Sequence, residues 1–315
     1  NYLPDSFSLD RVNCEDYVYL NEGKMRFNRR QIMNASLFSV LTTPVLQAEE
    51  KKAKKYKNIP AYFACNMESW WTDLPFMDRF KAASKAGFSA VEFWDYQDKK
   101  RNVNEIAKLC EDLNLNIIQF TAWQSPSLAL TNNHKKFKDA IKRAIETALV
   151  LDAPMFTVVG HQTSSKHSQE ESVKNFSKAL TSVRDILEES GKMMIIEPFN
   201  PVDHQGHFLN GSKDTVSICR SINSPNIKIN WDLYHMQLTE GNLIGELRSG
   251  IDQVGYIQIA DAPGRNQPGT GELNYNFIFD EIKKMKYNGY VGLECWPRNN
   301  NSEEAIRDLL ASVYG

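Results

Sequence analysis

Four short apolar runs in the second half of the chain end in, or close to, side chains that carry oxygen ligands. Met193 to Ile196 runs into Glu197, Ile227 to Asp232 closes on Asp232, Val254 to Ile259 carries Gln258, and Tyr290 to Cys295 carries Glu294. Unbroken apolar runs of this length read as buried parallel strands, and Pro198 ends the first of them. A carboxylate at the end of such a strand is partly desolvated and needs a cation, a donor or a proton. Three of them brought to one point repel, and a divalent cation is the simplest remedy. Oxygen ligands favour one hard ion, Mg²⁺ or Mn²⁺, over zinc. Such a centre suits removal of a weakly acidic proton beside a carbonyl. The metal stabilises the enediolate and a carboxylate moves the proton. Returning the proton to the neighbouring carbon isomerises the substrate; returning it to the opposite face of the same carbon epimerises it.

The elements that must position these groups begin at Ala61. Short apolar runs alternate with amphipathic stretches: strands start at Tyr62, Phe88, Asn116 and Met155, then come the four runs above. The spacing predicts helices over 74–86, 103–113, 134–151, 172–189, 213–221, 242–250, 275–285 and 302–313. On the first, Leu74, Met77, Phe80 and Ala83 share one face, and Gly87 stops it. Eight strands alternating with eight helices predict an α/β fold, a single (β/α)8 TIM barrel over 61–315. An open doubly wound sheet is disfavoured because no glycine-rich phosphate loop follows the first strand. In such a barrel the C-terminal strand ends share one mouth, so Glu197, Asp232, Gln258 and Glu294 are expected to meet there.

Other residues are expected around that mouth. Arg265, in a Pro-Gly-Arg loop, could clamp a substrate carboxylate. Trp70, Trp71 and Trp123 are candidates for a pocket wall, and Glu92 for the pocket lining or an internal ion pair. His134, His161, His167, His204 and His207 lack a pairwise metal spacing and are expected on the surface or in loops.

The motifs that carry a family resemblance are Ile196-Glu197-Pro198-Phe199-Asn200, Asp232-Leu233-Tyr234-His235-Met236-Gln237, Ile257-Gln258 through Arg265, Pro268 through Tyr275, and Gly292-Leu293-Glu294-Cys295, with Leu74 to Phe80 near the start. Over about residues 61–298 the sequence resembles the hydroxypyruvate isomerase family, within the xylose-isomerase-like sugar isomerase and epimerase barrels. The glutamine at 258, where many relatives have histidine, is similar to the hydroxypyruvate isomerase branch. The resemblance implies that Glu197, Asp232, Gln258 and Glu294 bind the metal, that Glu197 and Glu294 form the acid–base pair, and that His235 holds substrate oxygens. It implies an isomerase interconverting hydroxypyruvate and tartronate semialdehyde or a similar hydroxy-ketone, with a ketose 3-epimerase as the alternative. The 66–71 and 160–163 loops depart from the family pattern and leave substrate size open. A metal-dependent endonuclease or a carbohydrate-binding barrel without catalysis are more distant readings.

Composition narrows the partners. A net charge of −2, with 42% hydrophobic and 24% charged residues, gives no basic field for nucleic acid or an anionic membrane. Five scattered cysteines without a CxxC spacing suggest neither a disulfide framework nor a cysteine zinc site. The expected partner is a small hydroxy-keto acid or ketose, and a homo-oligomer is compatible with the sequence. Residues 1–60 read as an N-terminal extension. Within it, 25–48 (Met25, Arg29-Arg30, an apolar stretch to Leu46, Ala48) resembles a twin-arginine export signal to the periplasm. A basic tail on a cytoplasmic protein is the competing reading.

Overall fold

The structure, a computed structural model, describes residues 59–315; the predicted extension and export signal lie outside the described residues. Eight parallel strands close on themselves in chain order: β1 (Phe63–Asn66), β2 (Ala90–Asp95), β3 (Asn116–Trp123), β4 (Met155–Val158), β5 (Met193–Ile196), β6 (Ile227–Asp232), β7 (Val254–Gln258) and β8 (Val291–Leu293). Pairing of β1 with both β2 and β8 completes the cylinder. The helices are α1 (Phe76–Ala86), α2 (Val103–Asp112), α3 (His134–Val150), α4 (Gln169–Thr181), α5 (Arg184–Ser190), α6 (Ser212–Ile222), α7 (Leu233–Thr239), α8 (Leu243–Gly250), α9 (Tyr275–Lys284) and α10 (Ser302–Tyr314). Among the described residues no helix is long and apolar enough to cross a membrane.

The stretch 172–189, expected as one helix, is two. It starts earlier, at Ser168, whose hydroxyl and Glu171 form a reciprocal capping box. It breaks near Ser182, where the Thr181 and Ser182 hydroxyls bond back to the carbonyls of Ser177 and Ala179, a pattern that bends helices. The short helix α7 is an addition. Asp232 caps it by accepting from Tyr234 N at 2.9 Å, which places His235 on its first turn.

The barrel interior is layered, because alternate residues of a strand share a face. Ala64, Ala90, Met155, Ile195 and Tyr256 belong to a small apolar cluster separate from the main core between strands and helices. Two residues further along the same strands stand Asn66, Glu92, Thr157, Glu197 and Gln258. Polar side chains thus replace apolar ones as each strand approaches the mouth. Glu92 is fully buried and accepts from Gln119 Nε2, Tyr256 OH, Asn66 Nδ2 and Gln258 Nε2 at 2.8, 2.8, 3.0 and 3.1 Å. Burial pushes its pKa up, and these four donors pull it back. Its neighbours are neutral amides and a phenol rather than a cation, so Glu92 ties β1, β2, β3 and β7 together. Room for it comes from Gly292, where a Cβ would lie 2.8 Å from Glu92 Oε1.

Candidate active site

Asp232 divides its two oxygens between structure and site. Oδ1 caps α7, while Oδ2 accepts from Arg265 Nη2 at 2.9 Å. The same guanidinium nitrogen donates to Glu294 Oε1 at 3.0 Å. Glu197 approaches the centre through His235, whose Nε2 lies 3.5 Å from both Glu197 Oε1 and Asp232 Oδ2. All four of Glu197, Asp232, His235 and Glu294 are buried. The three carboxylates therefore share one desolvated space, and Arg265 is the cation facing them.

Electrostatics follow from that crowding. Burial raises the Glu197 pKa from 4.5 to about 7, against the opposing pull of Arg265. Glu294 is raised well above the usual range, by burial first and by the Glu197 charge second. Burial opposes charge on Arg265 too, but Glu294, Asp232 and Glu197 more than offset it and keep it protonated. A carboxyl poised near neutrality suits a group that must take and return a proton near pH 7.

The loop that presents Arg265 is built on Asp261. Asp261 Oδ2 accepts from the backbone N–H groups of Gly269, Thr270 and Gly271, and Oδ1 from those of Leu273 and Ala262. Arg265 itself has a left-handed φ of 54°, which is costly for a residue with a side chain. Its guanidinium lies over the rings of Tyr234 and Trp296 at 5.0 and 5.4 Å.

Hydrogen bonding fixes which nitrogen of His235 carries its proton. Asn200 Oδ1 accepts from the backbone N–H groups of Val202 and Asp203, so its Nδ2 must be the end that meets His235 Nδ1 at 2.7 Å. An amide N–H donates, so Nδ1 accepts and the neutral ring holds its proton on Nε2, which makes the 3.3 Å approach of Arg265 Nη2 to Nε2 a contact between two donors and not a hydrogen bond. Burial keeps the ring neutral, with its pKa down to about 3. His235 therefore offers the site a donor, suited to a carbonyl or hydroxyl oxygen.

The cavity above these groups has a volume of about 270 Å³ and is also lined by Trp94, Gln162, Phe199, His204 and His207. Trp70 and Trp123, expected in its wall, do not line it. Trp70 is fully buried and donates to Leu293 O, and Trp123 donates to Pro126 O beneath Gly160. Trp94 supplies the indole instead. Its backbone N–H donates to Glu68, which forms a two-pronged ion pair with Arg101. Gln258 is kept from the carboxylates: its nitrogen serves Glu92 and its oxygen accepts from Asn230 at 2.6 Å. His161, His204 and His207 lie in loops, as expected, but not on the outer surface: His161 is fully buried and the other two line the cavity. The three histidines gather around Phe199, which single-residue spacing could not reveal because they come from two loops.

A profile of the xylose isomerase-like TIM barrel family matches residues 80–313. The chain belongs to that family. It is 31% identical over 250 residues to the hydroxypyruvate isomerase of Escherichia coli K12, covering 78% of this chain and 96% of that one. Identity to the 2-oxo-tetronate isomerase of Cupriavidus necator is 30% over 251 residues, with 76% and 94% covered. Among solved structures, a family 2 AP endonuclease from Brucella melitensis superposes with a TM-score of 0.71 at 28% identity, covering 76% of this chain and 94% of that one. The E. coli 3-keto-D-glucoside 4-epimerase superposes with a TM-score of 0.69 at 22% identity, covering 79% and 97%, and shows the same fold. As a member of this xylose isomerase-like family, the chain has a metal-compatible centre: one atom from each of Glu197, Asp232 and His235 lies within 4.8 Å of the others, and His235 becomes a ligand there only when its Nε2 gives up its proton. Two carboxylates so close, with Glu294 joined to them through Arg265, form a donor set that a divalent cation fits.

Proposed function

We propose that this protein is a metal-dependent isomerase of a small hydroxy-keto acid, of the hydroxypyruvate and tartronate semialdehyde type, working by proton transfer through an enediolate. One observation carries the reading: Glu197 and Glu294 are buried carboxyls with raised pKa values in a cavity that also holds one fixed donor, His235, and one cation, Arg265. Glu197, Asp232 and Glu294 would hold Mg²⁺ or Mn²⁺; Gln258 would join them only through its oxygen, which accepts from Asn230. The metal would supply Lewis-acid polarisation of the carbonyl and adjacent hydroxyl.

The chain's own groups do the rest. Arg265 pairs with the substrate carboxylate, and His235 Nε2–H donates to an oxygen of the reacting pair of carbons. Glu197 takes the proton beside the carbonyl, Glu294 returns one to the neighbouring carbon, and the hydroxyl proton passes to the former carbonyl oxygen, so that carbonyl and hydroxyl exchange places. Buried side chains around the reacting atoms limit water. Relatives named hydroxypyruvate isomerase and 2-oxo-tetronate isomerase support this substrate class.

The test is exchange of solvent deuterium into hydroxypyruvate by metal-loaded protein, followed by NMR. Exchange with appearance of the aldehyde product supports isomerisation. Exchange at a sugar carbon with inversion, and none into keto acids, would instead favour the 3-epimerase reading.

A further inference from the structure

Glu197 carries its chemistry on the side chain, and one buried hydrogen bond holds the backbone behind it. The β5 ladder ends at Ile196, which pairs with Val158 on one side and Ile229 on the other. Glu197 N still donates to Val158 O at 3.3 Å, and Pro198 restricts the residue before it to an extended backbone. The Glu197 carbonyl lies past the ladder, and among the described residues no backbone N–H donates to it. His161 Nε2 lies 2.9 Å from that oxygen instead. A carbonyl can only accept, so Nε2 carries a proton whatever the charge of the ring.

His161 is itself held on every side. Gly160, at a left-handed φ of 75°, turns the chain after β4. A Cβ there would lie 2.7 Å from the Trp123 ring, and Leu128 N donates to Gly160 O at 2.7 Å. The imidazole is fully buried and edge-on to Phe199, Phe176 and Phe208, with centroids 5.1, 6.1 and 6.0 Å away. Its Nδ1 lies 3.0 Å from His207 Nδ1. Burial keeps His161 neutral, so its Nδ1 accepts, His207 Nδ1 donates, and His207 Nε2 is left as an acceptor. Phe208 N donates to His161 O and Thr163 N to Gly206 O, at 2.9 and 2.7 Å, which ties the two loops together. With its N–H bonded to β4 and its carbonyl bonded to His161, Glu197 has both flanking peptide groups fixed, and with them the direction of its Cα–Cβ bond. That bond leads to a carboxyl whose Oε1 is 3.5 Å from His235 Nε2.

We propose that His161 is a positioning residue: by donating Nε2–H to the Glu197 carbonyl, it aims the Glu197 carboxyl at the centre shared with Asp232 and His235. What the aimed carboxyl does rests on the isomerase reading; the aiming itself does not.

Glu197-Pro198 is the one Glu-Pro step in the chain. Full-length protein labelled with ¹³C-carbonyl glutamate and ¹⁵N-proline therefore gives one doubly coupled carbonyl signal, that of residue 197. Long-range ¹H–¹⁵N NMR of native protein labelled with ¹⁵N-histidine should show His161 with its proton on Nε2. His161→Leu removes the donor, His161→Asn holds its amide nitrogen one carbon short, and His161→Gln can bring an amide nitrogen to the place of Nε2. The Glu197 carbonyl signal should move upfield in His161→Leu and His161→Asn and stay near its native position in His161→Gln. At saturating MnCl₂, kcat for deuterium exchange into hydroxypyruvate should fall about 10–100-fold in His161→Leu and His161→Asn, and less than about threefold in His161→Gln. KM should stay within about twofold in all three, the pattern of a misplaced group rather than of lost binding. Mn²⁺ affinity, read by calorimetric titration, should fall about tenfold in His161→Leu and His161→Asn alone. A bare Nε2 in the native protein, a carbonyl signal unmoved in His161→Leu, or one common rate per folded molecule in all three variants would each overturn the proposal. If the native protein exchanges no proton of any hydroxy-keto acid, the isomerase reading fails, and the tautomer, the carbonyl signal and the Mn²⁺ affinities still decide the role of His161.

Discussion

Arg265→Met removes the cation from a space shared by three carboxylates while keeping much of the apolar stem. The guanidinium lies 2.9 Å from Asp232 Oδ2 and 3.0 Å from Glu294 Oε1. At an effective dielectric of about 20, a unit pair some 4 Å apart is worth about 4 kcal/mol. Desolvation of the arginine offsets part of that, but removing one partner of a buried pair still costs about 3–5 kcal/mol. Protonation limits the damage: Glu197 titrates at about 7, so acid neutralises part of the exposed repulsion. The defect should be near the top of that range at pH 8 and smaller at pH 5.5. At roughly 2–4 °C per kcal/mol, metal-free Arg265→Met should melt about 6–20 °C below the native protein at pH 8. A divalent ion competes with the guanidinium for the same oxygens, so the variant should bind Mn²⁺ about 10–100-fold more tightly, corresponding to about 1.4–2.8 kcal/mol. Thermal unfolding in chelator and calorimetric titration with MnCl₂ measure both. A variant as stable as the native protein at pH 8, with unchanged Mn²⁺ affinity, would refute the idea that Arg265 and the metal share one place.

Other consequences can be checked with the same material. Glu197→Gln and Glu294→Gln should each lower deuterium exchange at least 100-fold, consistent with loss of a general acid–base group, with the fold retained by circular dichroism. Because the folded pKa of Glu197 is raised from 4.5 to about 7, its contribution to stability is present below pH 4.5 and is lost as pH rises through 7. Metal-free protein should thus lose up to about 3 kcal/mol across that window, and Glu197→Gln should lose less when both are followed by denaturant titration. Gly271→Ala would put a Cβ 2.2 Å from Ala262 O and 2.6 Å from Asp261 Oδ1. It should destabilise the Arg265 loop by about 1–3 kcal/mol, with hydrogen exchange quickened in that loop and unchanged in the barrel strands, and with KM raised in steady-state kinetics.

The fold and the three carboxylates were legible because both rest on short-range pattern. Apolar runs of strand length alternate with helical faces, and the residue that ends each run must face the mouth of a closed parallel barrel. Glu197, Asp232 and Glu294 follow from that alone. Arg265 was legible as a cation in a glycine-rich loop, although its meeting with Asp232 and Glu294 depends on the cradle around Asp261. Gln258 and the tryptophans were less transparent. Strand position gives the face of Gln258, but the partners of its amide are Glu92 and Asn230, contributed from elsewhere in the barrel. Trp70 and Trp123 follow strands, yet their N–H groups are satisfied by backbone carbonyls under the loops, and packing decides which indole reaches the cavity.

Histidine roles were least visible, for a reason that can be stated atom by atom. A neutral imidazole is a donor on one side and an acceptor on the other, and its neighbour chooses which. Asn200 spends its oxygen on two backbone N–H groups and so turns a donor toward His235 Nδ1, which leaves His235 donating into the site. The Glu197 carbonyl turns His161 the other way, and His161 in turn leaves His207 accepting. Two rings of the same type therefore present opposite polarity to one cavity, although both pack on Phe199. Asn200→Asp tests the first relay: a carboxylate facing His235 Nδ1 favours a proton there, which would bare Nε2 toward Glu197 and Asp232. The expected outcome is a switch of His235 to the Nδ1–H tautomer by ¹⁵N NMR, with tighter binding of Mn²⁺ through the bared nitrogen and loss of deuterium exchange. A tautomer unchanged in that variant would mean that the carboxylates, rather than Asn200, set the proton on His235.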